Sequence, residues 1–229
     1  MAITTTTLSR SAGVAAATAG LIFVGVQIGH PALNAVSVVT TEVTVRDSLK
    51  VLMAVLALVG ITGMYLRQVK QTGVLGLIGY LLLGAGYLII MATALVAAVV
   101  LPSIAGTDPS YVNDVLTVAT GGTASGDIGL LHYVFQVQNI AYLAGGLIFG
   151  IALYRARVLA RWAAALLAVG GVVTIALSMM PDAFFRLLAF PNGIAMIGLG
   201  YSLWRVGRTE ATPLPTDDHA AQLTTAGAE

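Results

Sequence analysis

The 229-residue chain contains no cysteine, only three histidines, and charged residues over only 9% of its length. Without cysteine there can be no disulfide, thiolate metal site or cysteine nucleophile. His30 and His132 have no cluster of carboxylates near them in sequence, so no metal site is read and no cofactor is implied. No charged side chain falls in the inner half of any apolar segment, which disfavours an ion-coupled transporter with a proton or ion relay across the membrane. No phosphate-binding glycine loop opens a helix. With a net charge of +1 the chain has no basic field for nucleic acid.

What remains is apolar. Hydrophobic residues make up 58% of the chain and mean hydropathy is +0.92, beyond what a water-soluble domain of this length carries. Six segments reach the roughly 20 apolar residues of a spanning helix. They run from Ser11 to Gly29, Ser48 to Leu66, Gly73 to Leu101, Leu130 to Tyr154, Ala160 to Met180 and Ala183 to Trp204. The first is expected to stay as a signal anchor, since it is too long for a cleavable leader. The third exceeds a bilayer's need and must tilt or run into the interface.

Arg10, Arg67, Lys70, Arg155, Arg157, Arg161, Arg205 and Arg208 gather on one side of this arrangement, and Glu42, Asp47, Asp108, Asp114, Asp127 and Asp182 on the other. By the positive-inside rule the basic side is cytoplasmic. The expected fold is therefore an all-α polytopic bundle of six transmembrane helices in the cell membrane, with both termini cytoplasmic. Residues 1–206 form the transmembrane domain, and 207–229 read as a disordered cytoplasmic tail. Tyr65, Tyr154 and Trp204, each beside an arginine, read as an aromatic belt. Glycines at Gly25 and Gly29, at Gly146 and Gly150, and at Gly76, Gly79, Gly84 and Gly86 read as packing seams that also permit a homo-oligomer.

The outer loop 102–129 carries a second pattern. Asp108-Pro109 has the order of an N-cap and a first helical residue, and Val112, Val115, Leu116 and Ala119 follow with helical spacing. A short amphipathic helix on the membrane surface is expected, either a lid over the outer end or a plain connector.

Candidate chemistry centres on the fourth segment, where His132, Gln136 and Asn139 recur at i, i+4 and i+7. They share one helical face, with Asn139 about 10 Å deeper than His132. Unpaired polar groups are costly in hydrocarbon, so this stripe is expected to face other helices, a wet cavity or a ligand. It reads either as a ligand-facing wall or as a set of interhelical hydrogen bonds. Gln27 and His30, i and i+3 at the end of the first segment, either complete a cavity there or simply terminate a helix at Pro31. Arg46, Asp47 and Lys50 open the second segment. Asp47 reads as a carboxylate held by Lys50 or as a first-turn acid complementing the helix dipole, and Lys50 as a group that pins an anion or carbonyl. Asp127 and Asp182 each stand where an N-cap would, and Asp182 has Arg186 at i+4. Asn192 follows Pro191 near mid-membrane, either filling a kink or reaching a pocket. Tyr80 and Tyr87 either offer aromatic faces to a ligand or belong to the core.

At HPALNAVS, at SLKVLMAVLALVGITGMYLRQVKQTGVLGLIGYLLLG and at RARVLARWAAALLAVGG, the chain resembles a broad family of small bacterial integral membrane proteins of unknown function. In size and layout alone it is similar to the small integral membrane terpene cyclases. That similarity implies proton-initiated chemistry on an isoprenoid by a membrane-buried carboxylic acid.

Three functional classes follow as expectations. The first is a metal-free, membrane-embedded isomerase or lyase acting on a lipophilic, isoprenoid or terpenoid substrate drawn from the bilayer. Asp47, Asp127 or Asp182 would donate the proton, His132 would orient it or accept the final one, and Tyr80 and Tyr87 would shield the cation. Gln136, Asn139, Gln27, His30, Lys50, Arg186 and Asn192 would bind the substrate. The second class is a non-catalytic membrane component that meets a partner, and the third a passive small-solute carrier.

Overall fold

The computed structural model describes residues 4–177 and 189–209, and for 171–177, 189 and 209 the backbone alone. Asp182 and Arg186, parts of the fifth and sixth expected spans, and residues 210–229 of the tail lie outside the described residues. Among the described residues every regular element is a helix: α1 (Thr5–Gly25), α2 (Thr41–Arg67), α3 (Val69–Ile104), α4 (Pro109–Ala119), α5 (Leu131–Ala156), α6 (Arg161–Leu177) and α7 (Ala189–Thr209). Four of them, α1, α2, α3 and α5, are long and apolar enough to cross a membrane.

Local chemistry sets several of the ends. Thr4 caps α1 by accepting from the Thr7 amide at 3.2 Å, and Asp108 caps α4 by accepting from the Tyr111 amide at 3.0 Å, with Pro109 in the first turn as its missing N–H allows. α2 begins at Thr41 behind the N-cap Thr40, seven residues before the expected Ser48. That shift places Glu42 in the first turn and Asp47 in the second, so Asp47 is not the acid that faces the helix dipole. Only Gln68 separates α2 from α3, and Gly73 then breaks the start of α3 with φ 55° and ψ −149°, a conformation that glycine adopts without a Cβ clash. Near its far end α3 widens into a π-helical turn over Val96–Val100, where the Leu101 amide donates to the Val96 carbonyl. Pro102 follows directly. It has no amide hydrogen and its ring crowds the preceding turn, strains that a wider turn relieves.

Six helices close into a ring. α1 packs on α2, α2 on α3, α3 on α5, α5 on α6 and α6 on α7, and α7 returns to α1. Inside lies one apolar core that includes Ala16, Ala57, Ile61, Phe149, Leu153, Leu167, Met196 and Leu203. Outside, Leu21, Val74, Leu81, Ile140 and Tyr201 are exposed, the surface that a lipid-facing bundle presents. Lipid is as apolar as these side chains, so close packing rather than apolar burial must hold such helices together.

Glycines supply that closeness, though not all the expected ones. α1 and α7 touch backbone to backbone at two levels. A Cβ on Gly200 would stand 2.5 Å from the Gly13 carbonyl oxygen, and seven residues along each helix Gly20 abuts Gly193. Gly79 and Gly86 pack on Phe149 and Tyr142 of α5, and Gly150 packs on Ala168 and Ala164 of α6. Gly25 and Gly29 make no seam: α1 stops at Gly25, which has nothing within 4 Å, and Gly29 turns the chain with φ +64°. Gly76 has Thr72 of its own helix as its nearest neighbour, and Gly84 has only loose contacts with Leu58 and Ile61. At the basic end, Arg161 covers the Tyr154 ring at 4.2 Å and Arg208 the Trp204 ring at 5.1 Å.

The Gly200→Val variant is expected to lose about 1–3 kcal/mol through overpacking against α1, whereas Gly25→Ala should be neutral or slightly stabilising. Thermal unfolding of the two detergent-solubilised variants checks this, and equal melting temperatures would contradict the seam.

Candidate functional site

At the end of the ring covered by α4 the helices part around a cavity of about 280 Å3. Two walls face each other across it. One is built from Gln27 and His30 beyond the end of α1 together with Asp47 and Lys50 of α2, and the other from Leu131, Phe135, Gln138, Asn139 and Tyr142 of α5. The backbones of α2 and α5 do not approach one another, and at this end of the ring the cavity lies between them. α3 closes one side with Ile90, Thr93 and its π-helical turn at Val96 and Ala97, and Asn192 of α7 also reaches in. Val115, Leu116 and Ala119 of α4 form the roof.

The first wall depends on how α1 ends. After Gly25 the chain continues in turns rather than helix, so Gln27 and His30 are not the shared helical face expected for i, i+3 residues. The carbonyls left at that end are collected by Arg46 of α2. Its guanidinium donates to Val26 O at 2.8 Å, Ile28 O at 3.0 Å and Gly29 O at 3.2 Å, and pairs with Glu42 at 2.9 Å. A cation at a helix C-terminus satisfies orphan carbonyls and complements the dipole at once. Glu42, whose position relative to the site is not legible in the sequence, thus steadies Arg46 from one turn away.

Next along α2 stands a chain of ionisable groups. Lys50 Nζ donates to Asp47 Oδ1 at 2.7 Å and lies 3.5 Å from His30 Nε2, while His30 Nδ1 lies 2.9 Å from the Pro31 carbonyl oxygen. A carbonyl only accepts, so Nδ1 carries a hydrogen, and in the neutral ring Nε2 then offers its lone pair to Lys50. The Asp47 side chain is 3% exposed and that of Lys50 24%, so the pair is largely withdrawn from solvent while the ammonium still reaches the cavity. Removing one partner of so buried a pair strands the other charge.

The stripe expected on the fourth segment is turned away from this cavity. His132 and Gln136 are exposed, with Gln136 Nε2 and His132 Nε2 2.8 Å apart. Only Asn139 lines the cavity. At about 100° per residue the face formed by Leu131, Phe135, Gln138 and Tyr142 is rotated roughly a third of a turn from the His132–Gln136 face, with Asn139 between them. The polar group on the cavity face itself is Gln138, which accepts from the Thr93 hydroxyl at 2.9 Å. Neither Gln138 nor Thr93 was singled out from the sequence. The available signal was that Gln138 follows Leu131 and Phe135 at i+7 and i+3, sharing the face of the bulkiest apolar residues.

The other candidates divide likewise. Asp127 is exposed, lies outside the cavity lining and accepts from the Gly129 amide at 2.7 Å in a short turn. It does not cap α5, because Gly129 at φ +62° delays the helix until Leu131. Tyr80 stacks on Tyr65 at 4.8 Å, with its hydroxyl 3.0 Å from that of Thr62, away from the cavity lining. Tyr87 is buried edge-on to the ring of Tyr142, which does line the cavity. Asn192 is buried against Gly170, and Pro191 stands two residues after Ala189, where the described part of α7 begins. Among the described residues no three His, Asp or Glu side chains come together as metal ligands.

The roof packs on the protein. Val112, Val115, Leu116 and Val118 of α4 are buried in a second apolar cluster with Ala35, Val38, Leu101, Ile128 and Phe135, so the apolar face expected on the membrane surface is spent on this cluster instead. Asn113 accepts from the Ala35 amide at 2.8 Å. Asp114 accepts from the Ser125 amide and hydroxyl at 2.8 and 2.9 Å and from the Gly126 amide at 2.9 Å, which ties the following loop to the roof helix. Those Ser125 hydrogen bonds, with a smaller part from Gly126, hold the Asp114 carboxyl below its ordinary value.

No family model, curated protein or solved structure matches the chain.

Two outcomes follow. Arg46→Met should cost about 1.5–3 kcal/mol, the scale of hydrogen bonds to a charged group, and should expose amides 26–30 to hydrogen exchange; an unchanged exchange pattern would contradict the capping role. The Asp114 carboxyl has a depressed folded pKa, so its clamp is fully present above the ordinary value of 3.8 and is lost as pH falls through the lower folded value. Protection factors over 121–129 are therefore expected to hold at pH 5 and collapse below pH 3.8, and Asp114→Ala should show the collapsed values at both.

Proposed function

We propose that this protein is a membrane-embedded enzyme that carries out metal-free acid/base isomerisation or cyclisation on a lipophilic, isoprenoid-like substrate. In this reading the ring is a six-spanning bundle of the cell membrane with both termini cytoplasmic, supported by the excess of arginine at the end away from the cavity, where Arg10, Arg67, Arg155, Arg157, Arg161, Arg205 and Arg208 gather. The observation that carries the chemistry is the chain Asp47–Lys50–His30, partly withdrawn from solvent in a cavity that Phe23, Ile90, Leu101, Phe135 and Tyr142 also line.

The roles follow from atoms. Lys50 spends hydrogen bonds on Asp47 and His30 and has a third N–H to give to an oxygen of the substrate, such as an epoxide or carbonyl. The starting proton comes from the Asp47–Lys50 pair, and the same pair or His30 Nε2 takes one back, so substrate and product have equal mass. The rings of Phe23, Phe135 and Tyr142 shield positive charge that develops on carbon, the part first expected of Tyr80 and Tyr87. The layout resemblance to small membrane terpene cyclases supports the isoprenoid class, and exposed apolar helix faces support entry from the bilayer.

A second reading, a non-catalytic component that meets a membrane partner, is favoured by the exposed His132–Gln136 pair beside Tyr133, Val137 and Ile140 on the outer flank of α5.

Membranes holding the protein, incubated with epoxidised and prenylated isoprenoids, should yield new LC-MS peaks of unchanged mass. Asp47→Asn should reduce them about 100-fold or more, within the range for loss of an acid/base group, with the variant still folded. Product that survives in Asp47→Asn but vanishes in Asp127→Asn would refute the assignment, and no product from any substrate would favour the partner reading.

A further inference from the structure

The carboxamides of the cavity are not used by the chemistry proposed above. Gln27, Gln138, Asn139 and Asn192 all line it. Each side chain brings two N–H donors and an oxygen acceptor. Among the described residues only one of these groups is engaged by another side chain, the Gln138 oxygen that accepts from Thr93. This fixes the Gln138 amide with its N–H pair left to give. Asn192 is 4% exposed and reaches the cavity. A carboxamide is costlier than leucine in an apolar lining, so a cavity meant for pure hydrocarbon would not carry four of them.

Two of the carboxamides, Gln138 and Asn139, stand on a different wall from the charges. Lys50, Asp47, His30 and Gln27 belong to the α1–α2 wall, whereas Gln138 and Asn139 belong to the α5 wall. The far wall presents donors and acceptors with no net charge. Its complement is therefore a neutral oxygen function such as a hydroxyl, which both donates and accepts.

We infer that the cavity selects a lipophile oxygenated at both ends, one oxygen held by Lys50 and a second, uncharged one held by the carboxamides of Gln138, Asn139 and Asn192. This rests on the reading of the cavity as a binding site for a lipophilic substrate. A site built to bond an oxygen discriminates strongly against the analogue that lacks it, because its own polar groups are then stranded.

The test measures affinity, through ligand-induced thermal stabilisation of the full chain in lipid nanodiscs, for farnesene, farnesol and farnesol carrying a terminal epoxide. Each added oxygen should tighten binding about tenfold, the scale of one well-made hydrogen bond to a buried partner. Asn192→Leu should erase one of the two steps and keep the other, and Lys50→Met should erase the complementary step. Should Asn192→Leu fail to fold against Gly170, Asn139→Leu on the open wall serves the same purpose. Equal binding of the three probes, or both steps intact in Asn139→Leu, would overturn the two-ended selection and leave the lipophile reading standing. No binding by any probe would overturn both.

Discussion

Two helices from opposite ends of the chain touch backbone to backbone, and the rest of the structure depends on that contact. Where Gly13 meets Gly200 and Gly20 meets Gly193 there is no room for a methyl group. Because lipid offers apolar side chains as good an environment as the protein interior does, such helices gain little from hiding hydrophobic surface and much from fitting closely. The α1–α7 seam converts a row of helical hairpins into a closed ring. Once the ring is closed, α2 and α5 stand on opposite sides of an enclosed volume, and Asn192 of α7 comes to the same cavity as the end of α1.

The second constraint is that every helix end must satisfy its backbone. At the cavity end this is done by borrowed groups: Arg46 for the carbonyls beyond α1, Asp108 for the first amides of α4, and a widened turn in α3 ahead of Pro102. The same solutions position the site. Arg46 fixes the turn that carries Gln27 and His30, its neighbour Asp47 pairs with Lys50, and the π-helical turn brings Val96 and Ala97 to the lining. Structural and functional roles are thus shared within one stretch of α2, from Glu42 to Lys50.

The roof shows how a sequence pattern can be sound while its setting differs. Asp108-Pro109 and the spacing of Val112, Val115 and Leu116 specify an amphipathic helix, and α4 is that helix. Its apolar face, however, meets Val38, Ile128 and Phe135. An apolar stripe records that a helix has something to cover, not whether lipid or protein will cover it. The carboxylates were ambiguous in the same way. Asp47, Asp114 and Asp127 look alike in the chain, yet one is ion-paired in the cavity, one ties a loop to the roof and one closes an exposed turn.

What the sequence by itself determined is whatever depends on neighbours in the chain. The apolar runs specify helices, their lengths allow four of them to cross a membrane, and the cap at Asp108 is readable because a cap bonds three residues ahead. Asp47 and Lys50 were legible as a pair for the same reason, being one helical turn apart. What only the tertiary structure decided is which side of each helix looks inward. A stripe such as His132, Gln136 and Asn139 defines a direction around its own axis but carries no reference to the other helices. The rotation of α5 is set by Gly145 and Gly150, which pack on α3 and α6, and that rotation sends Gln138 to the cavity and His132 and Gln136 to the outer flank. Helix phase is a property of close packing between segments distant in sequence, so the cavity's membership could be known only once the ring had closed.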